Sequence, residues 1–256
     1  MKKTLALLLI CFAFLSSCHK DNDDDVSQAI ATFSFSHSWD GTPVTNTDFN
    51  SIKYTNANGE ALSITKLRYL ISKIIFTSFS GEKFILEGYN LVDVTNNTNL
   101  SFSPTTTIPF GTYTNVSFIF GFDNDDNYLN YPDLNSASWN VPSMMGGGYH
   151  FMQLEGKFVD NASNEIGYAY HVIRAVDVTN PSALLFQDTF FEVDLGEVNI
   201  TGNTTFNIEM NIAEWFKNPN TWDLNILNNM LMPNFDAQVM MYQNGQNAFS
   251  LTSITP

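Results

Sequence analysis

The chain is short of thiols. Its 256 residues hold only two cysteines, Cys11 and Cys18, both near the N-terminus. Cys11 falls in a segment that reads as a removable signal and Cys18 at its cleavage point. The mature chain is therefore expected to have no disulfide and no thiol nucleophile, and its fold must stand on its core alone. At about 230 residues, one all-β domain can do so. Positive charge is scarce too. Lys and Arg number 11 against 26 acids, a net charge of −15. Removing Lys2 and Lys3 with the signal leaves 9 against 26, or −17. That balance excludes nucleic acid as a partner, because binding it needs Lys and Arg to displace counterions. It also argues against a peripheral grip on anionic headgroups, and it favours cations. Catalytic patterns are missing: there is no Gly-x-Ser-x-Gly and no His-Glu-x-x-His. Gly146-Gly147-Gly148 lacks a following Lys-Ser/Thr, so it is no phosphate loop. A binding protein is expected, not an enzyme.

Lys2 and Lys3 precede an apolar run, Leu5 to Leu15, that is too short to span a bilayer as a mature helix. It ends Leu15-Ser16-Ser17-Cys18, which resembles a bacterial lipoprotein signal. The resemblance implies cleavage of residues 1–17 and acylation of Cys18. Such a protein is an outer-membrane lipoprotein, facing the periplasm or the cell surface. It is held by acyl chains at about 0.8 kcal/mol per buried methylene. His19 to Asp25 then forms a polar, acidic tether within residues 18–27. It has no apolar area to bury. It is similar to the surface-export signals of some Gram-negative lipoproteins.

From residue 28 the signals are mostly β. Ala31 to Trp39 alternates strictly: Ala31, Phe33, Phe35, His37 and Trp39 face one way, and Thr32, Ser34, Ser36 and Ser38 the other. Asn58-Gly59 and Ser80-Gly81 read as hairpin turns, the second joining Leu70–Phe79 to Lys83–Val94. Val116, Phe118, Phe120 and Phe122 alternate. Tyr149–Phe158 and Gly167–Val176 read as an antiparallel pair, and Phe206, Ile208, Met210 and Ile212 share a face. Helix is scarce: short turns over 213–217 and 220–230, and a C-terminal helix over 236–244 capped by Gly245. The pattern predicts one all-β domain over 28–256, a β-sandwich with long loops and a few short helices.

His37 lies on the apolar face of its strand, and a buried imidazole needs a partner for each ring nitrogen. His171 sits inside Tyr168-Ala169-Tyr170-His171-Val172-Ile173. Each is either a hydrogen-bonded core histidine or a metal ligand. Met144-Met145, Met230 with Met232, and Met240-Met241 are soft thioether pairs or core fillers. Asp123, Asp125 and Asn127 place oxygens at alternating positions, as calcium likes, though the loop lacks the Gly and distant Glu of an EF-hand. Trp215 and Trp222 are candidate exposed aromatics for a metal-free surface lipoprotein that binds glycan or protein.

A set of passages keeps a recognisable order along nearly the whole mature chain. Phe35-Ser36-His37 comes with Gly41-Thr42-Pro43-Val44. Tyr54 to Gly59, Leu67 to Ile74 and Tyr89 to Asp93 follow. Ile108 to Tyr113 leads to Phe118-Ile119-Phe120-Gly121-Phe122-Asp123. Gly148-Tyr149-His150-Phe151 runs into Leu154-Glu155-Gly156, with His171 after it. Together they resemble the MbnP-like domain family, copper-binding proteins related to MbnP, MopE and CorA. The resemblance implies copper, as Cu(I) or Cu(II), bound by two strand histidines matching His37 and His171. In some members a tryptophan oxidised to kynurenine by a dihaem cytochrome c peroxidase of the MbnH type adds a third ligand. Trp39, on the His37 face, is the candidate here. The family's Trp-x-Trp-x-x-Gly-Tyr pattern is absent: the segment reads Ser143-Met144-Met145-Gly146-Gly147-Gly148-Tyr149, and Trp139 lies earlier and out of register. The implied role is copper acquisition, storage or delivery, with an outer-membrane transporter as a further candidate partner.

Overall fold

A computed structural model describes residues 27–256. The signal, Cys18 and most of the tether lie outside the described residues. Strands dominate, with few and short helices. The main sheet has nine strands. Its central path runs from Phe191–Asp194 through Gly111–Phe120, Lys66–Ser78 and Met152–Val159 to Ala61–Leu62 and Tyr54–Thr55. Lys83–Asp93 pairs with Lys66–Ser78, and Glu165–Val172 pairs with Met152–Val159, both antiparallel. The second sheet has five strands, built on Ala31–Trp39, Thr204–Asn211 and Phe249–Thr255. Ala31–Trp39 and Thr204–Asn211 run parallel, with Ala31 opposite Thr204 and His37 opposite Met210.

The two sheets close on one aromatic core. Phe35 meets Tyr69 and Phe118 across the gap, each at 6.0 Å between ring centroids, and Phe76 meets Phe206 at 5.9 Å. Such edge-on contacts suit the ring quadrupoles, and a chain with 22 phenylalanines supplies them in number. This is the all-β sandwich that the alternation implies. Both hairpins form as expected, with Gly59 and Gly81 at φ 94° and 83°, backbone that glycine adopts at little cost.

Helix placement differs in detail. Residues 212–216 form one 3-10 helix, Ile212–Phe216. Residues 220–230 form turns and no helix. The C-terminal helix is Phe235–Gly245, and Gly245 is its last residue, not a left-handed cap. A Cβ there would stand 2.7 Å from the Trp215 ring and 2.8 Å from Phe191. This glycine lets the helix lie close against aromatic rings.

Candidate metal centre

The strand histidines fall on opposite sides of the nine-stranded sheet. Tyr69 and Met152 are opposite one another, as are Met152 and Val172, and all three face the core. One residue along, Arg68, Gln153 and His171 form the matching row, and successive strand residues point to opposite faces. His37 reaches the inner row: its Nε2 lies 3.1 Å from the Tyr69 hydroxyl. His171 stands on the outer row. The sheet thus separates His37 from His171, and the expected pairing of those two is corrected. His37 is a buried core histidine whose pKa burial lowers to about 4, so it is neutral at ordinary pH.

The partner that the fold brings to His171 is His150, with ring centroids 5.2 Å apart and ring planes near perpendicular. An isolated bridge between Asn140 and Tyr149 makes this approach. The chain can turn back from Met145 to Tyr149 because Gly146, Gly147 and Gly148 all hold positive φ, at 94°, 70° and 75°. His150 then lies against Trp139. The Trp139 carbonyl oxygen accepts both the backbone N–H of His150, at 2.9 Å, and Nδ1 of its ring, at 2.8 Å. A carbonyl can only accept, so Nδ1 carries the proton and Nε2 carries the lone pair. That Nε2 is buried and has no hydrogen-bond partner. Burial lowers the His150 pKa to about 4, against a smaller opposing effect of the Trp139 carbonyl.

His171 is oriented from the other side. Its Nε2 lies 2.9 Å from Glu155 Oε1, which also takes Lys66 Nζ at 2.8 Å. The His171 hydrogen bond, then Lys66, hold the Glu155 carboxyl down to about 2. A carboxylate accepts, so in the neutral ring Nε2 carries the proton and Nδ1 keeps the lone pair. Both imidazoles therefore have one nitrogen fixed by an acceptor, the arrangement that orients metal-binding histidines. Two imidazoles sharing an ion about 2.0 Å from each nitrogen have centroids about 5–6 Å apart, so the spacing fits. Two further buried polar atoms lack partners beside the pair: Trp139 Nε1 and Arg68 Nε. The Arg68 guanidinium lies 5.1 Å from the Trp139 ring centroid and donates to Gln153 Oε1 at 2.6 Å. Among the described residues no three His, Cys, Asp or Glu side chains gather as a metal-ligand group. The donors here are two nitrogens.

The other sequence candidates lie elsewhere. Trp39 stacks on Tyr54 at 4.9 Å and leans on Phe216, packed in the core. The tryptophan beside the histidines is Trp139, 5.7 Å from His150 between centroids. Asp123 already holds a cation: Lys73 Nζ lies 2.6 Å from its Oδ2 and 3.1 Å from Asp126 Oδ2. Asn127 is buried and turns its Oδ1 to the Tyr149 N–H, while Asp125 is exposed. Two of the three calcium candidates, Asp123 and Asn127, are thus engaged elsewhere, by Lys73 and by the Tyr149 N–H. Trp215 and Trp222 are fully buried, so neither is the exposed aromatic of a glycan or protein binder. Met144 is exposed and Met145 half-buried on the turn before the glycines.

The MbnP family model matches residues 28–238. The chain belongs to the MbnP family. Among solved structures, this MbnP-family chain is similar to MbnP from Methylosinus trichosporium, with 11% identity and a TM-score of 0.49. The match covers 78% of this chain and 80% of that one. Comparison with curated proteins returns no match. Within the MbnP-family segment the sequence reading missed His150, Trp139 and Glu155 as site residues. The signal available was Gly148-Tyr149-His150, which formed part of the resemblance without a role attached.

Proposed function

We propose that this protein binds copper through His150 and His171 and serves copper acquisition, storage or delivery. The observation that carries the reading is the buried, unpartnered Nε2 of His150, in a ring centred 5.2 Å from a second imidazole. Burying such a group without a partner costs about 1–3 kcal/mol, a cost that ligation removes. Imidazole suits copper in either oxidation state. Glu155 and the Trp139 carbonyl hold the rings and their tautomers, and the acidic surface draws cations in. Membership of the MbnP family supports a role in copper handling.

The chain acts, on this reading, as a lipoprotein anchored through acylated Cys18 at the outer membrane. Trp139 takes the place the resemblance offered to Trp39, as the residue on which an MbnH-type dihaem peroxidase would act. With Trp215 and Trp222 buried, the metal-free glycan binder loses the aromatics it rested on. The test is the copper content of protein purified from its native host, together with Cu(I) uptake by the apoprotein. About one tightly held copper per chain is expected at this site, lost in His150→Ala and His171→Ala and retained in His37→Ala. A chain that takes up no copper, or that takes up as much after both site substitutions as before, overturns the assignment.

A further inference from the structure

Methionine plays two separate parts in this chain. Met152, Met210 and Met241 are fully buried and fill the core. Met144 and Met230 are 74% and 73% exposed, so they fill nothing. Yet they come from distant segments and line one groove of ≈ 520 Å3, with Met145 between them. Its remaining wall is uncharged and mostly apolar, supplied by Ser143, Val178, Leu184 and two prolines. Beneath lies a small cluster of Val141, Ile173 and Val176, against which Met145 and Met232 pack. Val141 follows Trp139 by two residues and Ile173 follows His171 by two. The groove therefore sits on the same two chain segments as the histidine pair.

Three thioethers at one solvent-facing groove are a donor set of a particular kind. They are neutral at every pH, they need no deprotonation, and they are soft. Hard cations such as calcium and magnesium ask for several oxygens, carboxylates above all, and this wall has no carboxylate. We infer that Met144, Met145 and Met230 form a second metal site, selective for a soft monovalent ion, Cu(I) in the cell. Binding in the groove does not depend on the histidine pair. Its service as a landing point for ions bound for that pair rests on the function proposed above. A strongly acidic protein concentrates cations at its surface, and the thioethers then choose among them.

Ag(I) is the probe, since it shares the charge and softness of Cu(I) and does not oxidise in air. The purified protein, labelled at the methionine methyls, is titrated with Ag(I) and followed by NMR. The same titration is run on the His150→Ala, His171→Ala double variant. In both proteins the methyl signals of Met144, Met145 and Met230 should move together and saturate, while Met152, Met210 and Met241 stay still. Met144→Leu with Met230→Leu, both at exposed positions, should weaken this step by at least about tenfold, the least that loss of even an outer partner of a metal ligand costs. Groove methyls that stay still at saturating Ag(I), or move equally in the leucine variant, overturn the site. A groove that responds in the double histidine variant, with wild type and double variant taking up equal amounts of Cu(I), upholds the site and overturns the histidine assignment.

Discussion

The carbonyl oxygen of Trp139 accepts Nδ1–H of His150 at 2.8 Å, which leaves the lone pair of that ring on Nε2. The contact is to backbone, so no substitution at residue 139 removes the acceptor. The indole instead walls the ring, at 5.7 Å between centroids. Trp139→Phe should therefore retain copper binding with altered affinity. His150→Ala should weaken Cu(I) binding by more than the about 10–100-fold that loss of an outer partner costs. Competition titration against a Cu(I) chelator compares the two, and equal losses would contradict this division of roles.

Glu155 is the acceptor that orients His171. Glu155→Gln leaves a group that can accept, yet it removes the charge shared with Lys66. Copper affinity is expected to fall about 10–100-fold while the fold stays intact. Affinity unchanged in this variant would mean that His171 needs no anchor.

His37 should contribute to acid stability, as His150 does, and leave copper affinity alone. Its folded pKa is about 4, below the 6.5 of the unfolded ring. The unfolded chain therefore binds the proton first, and stability falls as pH drops from about 6.5 to 4. The full effect is roughly 3 kcal/mol, from 1.36 kcal/mol per pKa unit. Urea unfolding at several pH values measures it. The His37→Phe, Tyr69→Phe double variant should show a flatter pH dependence across that window, and an identical slope would refute the assignment.

Gly156 follows Glu155 in the central strand, where a Cβ would stand 1.9 Å from the Ser63 carbonyl oxygen and 2.7 Å from the Tyr168 ring. Neither neighbour is the loose end of a flexible chain. Gly156→Ala is expected to cost at least the about 1–3 kcal/mol typical of overpacking. Its midpoint in denaturant reads the effect, and a neutral substitution would mean the strand can shift.

Lys73 supplies the cation for Asp123 and Asp126, two carboxylates whose pull on the ammonium outweighs its burial and raises its pKa. Lys73→Gln should destabilise by about 1–3 kcal/mol, since it leaves two half-buried acids facing one another. Calcium should stabilise that variant more than the wild type. Thermal melts with and without calcium decide, and a wild type stabilised equally would restore the calcium reading of this loop.

Much of the scaffold was legible because strand alternation is a local signal. Ala31 to Trp39 shows its buried face in its own sequence, and Ser80-Gly81 marks its hairpin. The site was less legible because it depends on register. Nothing in the sequence says that Tyr69 will stand against His37 while Arg68, its neighbour, joins the row of His171. That follows from which residue of Met152–Val159 pairs with which residue of Lys66–Ser78, and one step of slip would reverse every face. Trp139 was harder still. It reaches His150 through a single bridge and three glycines at positive φ, neither of which has a periodic signature.

The parallel pairing of Ala31–Trp39 with Thr204–Asn211 sets an order of events. The strand made first finds its longest partner only after nearly all of the intervening chain exists. Until then it has only the two-residue strands Thr42–Pro43 and Ser101–Phe102 beside it. Contacts so far apart in sequence fold slowly. A Phe-rich strand with an open edge is also a template for wrong pairing. The nine-stranded sheet, whose strands all precede Thr204, can assemble ahead of it. Closure of the small sheet is then the late, committing step, and a chain interrupted before Thr204 would leave its first strand unshielded.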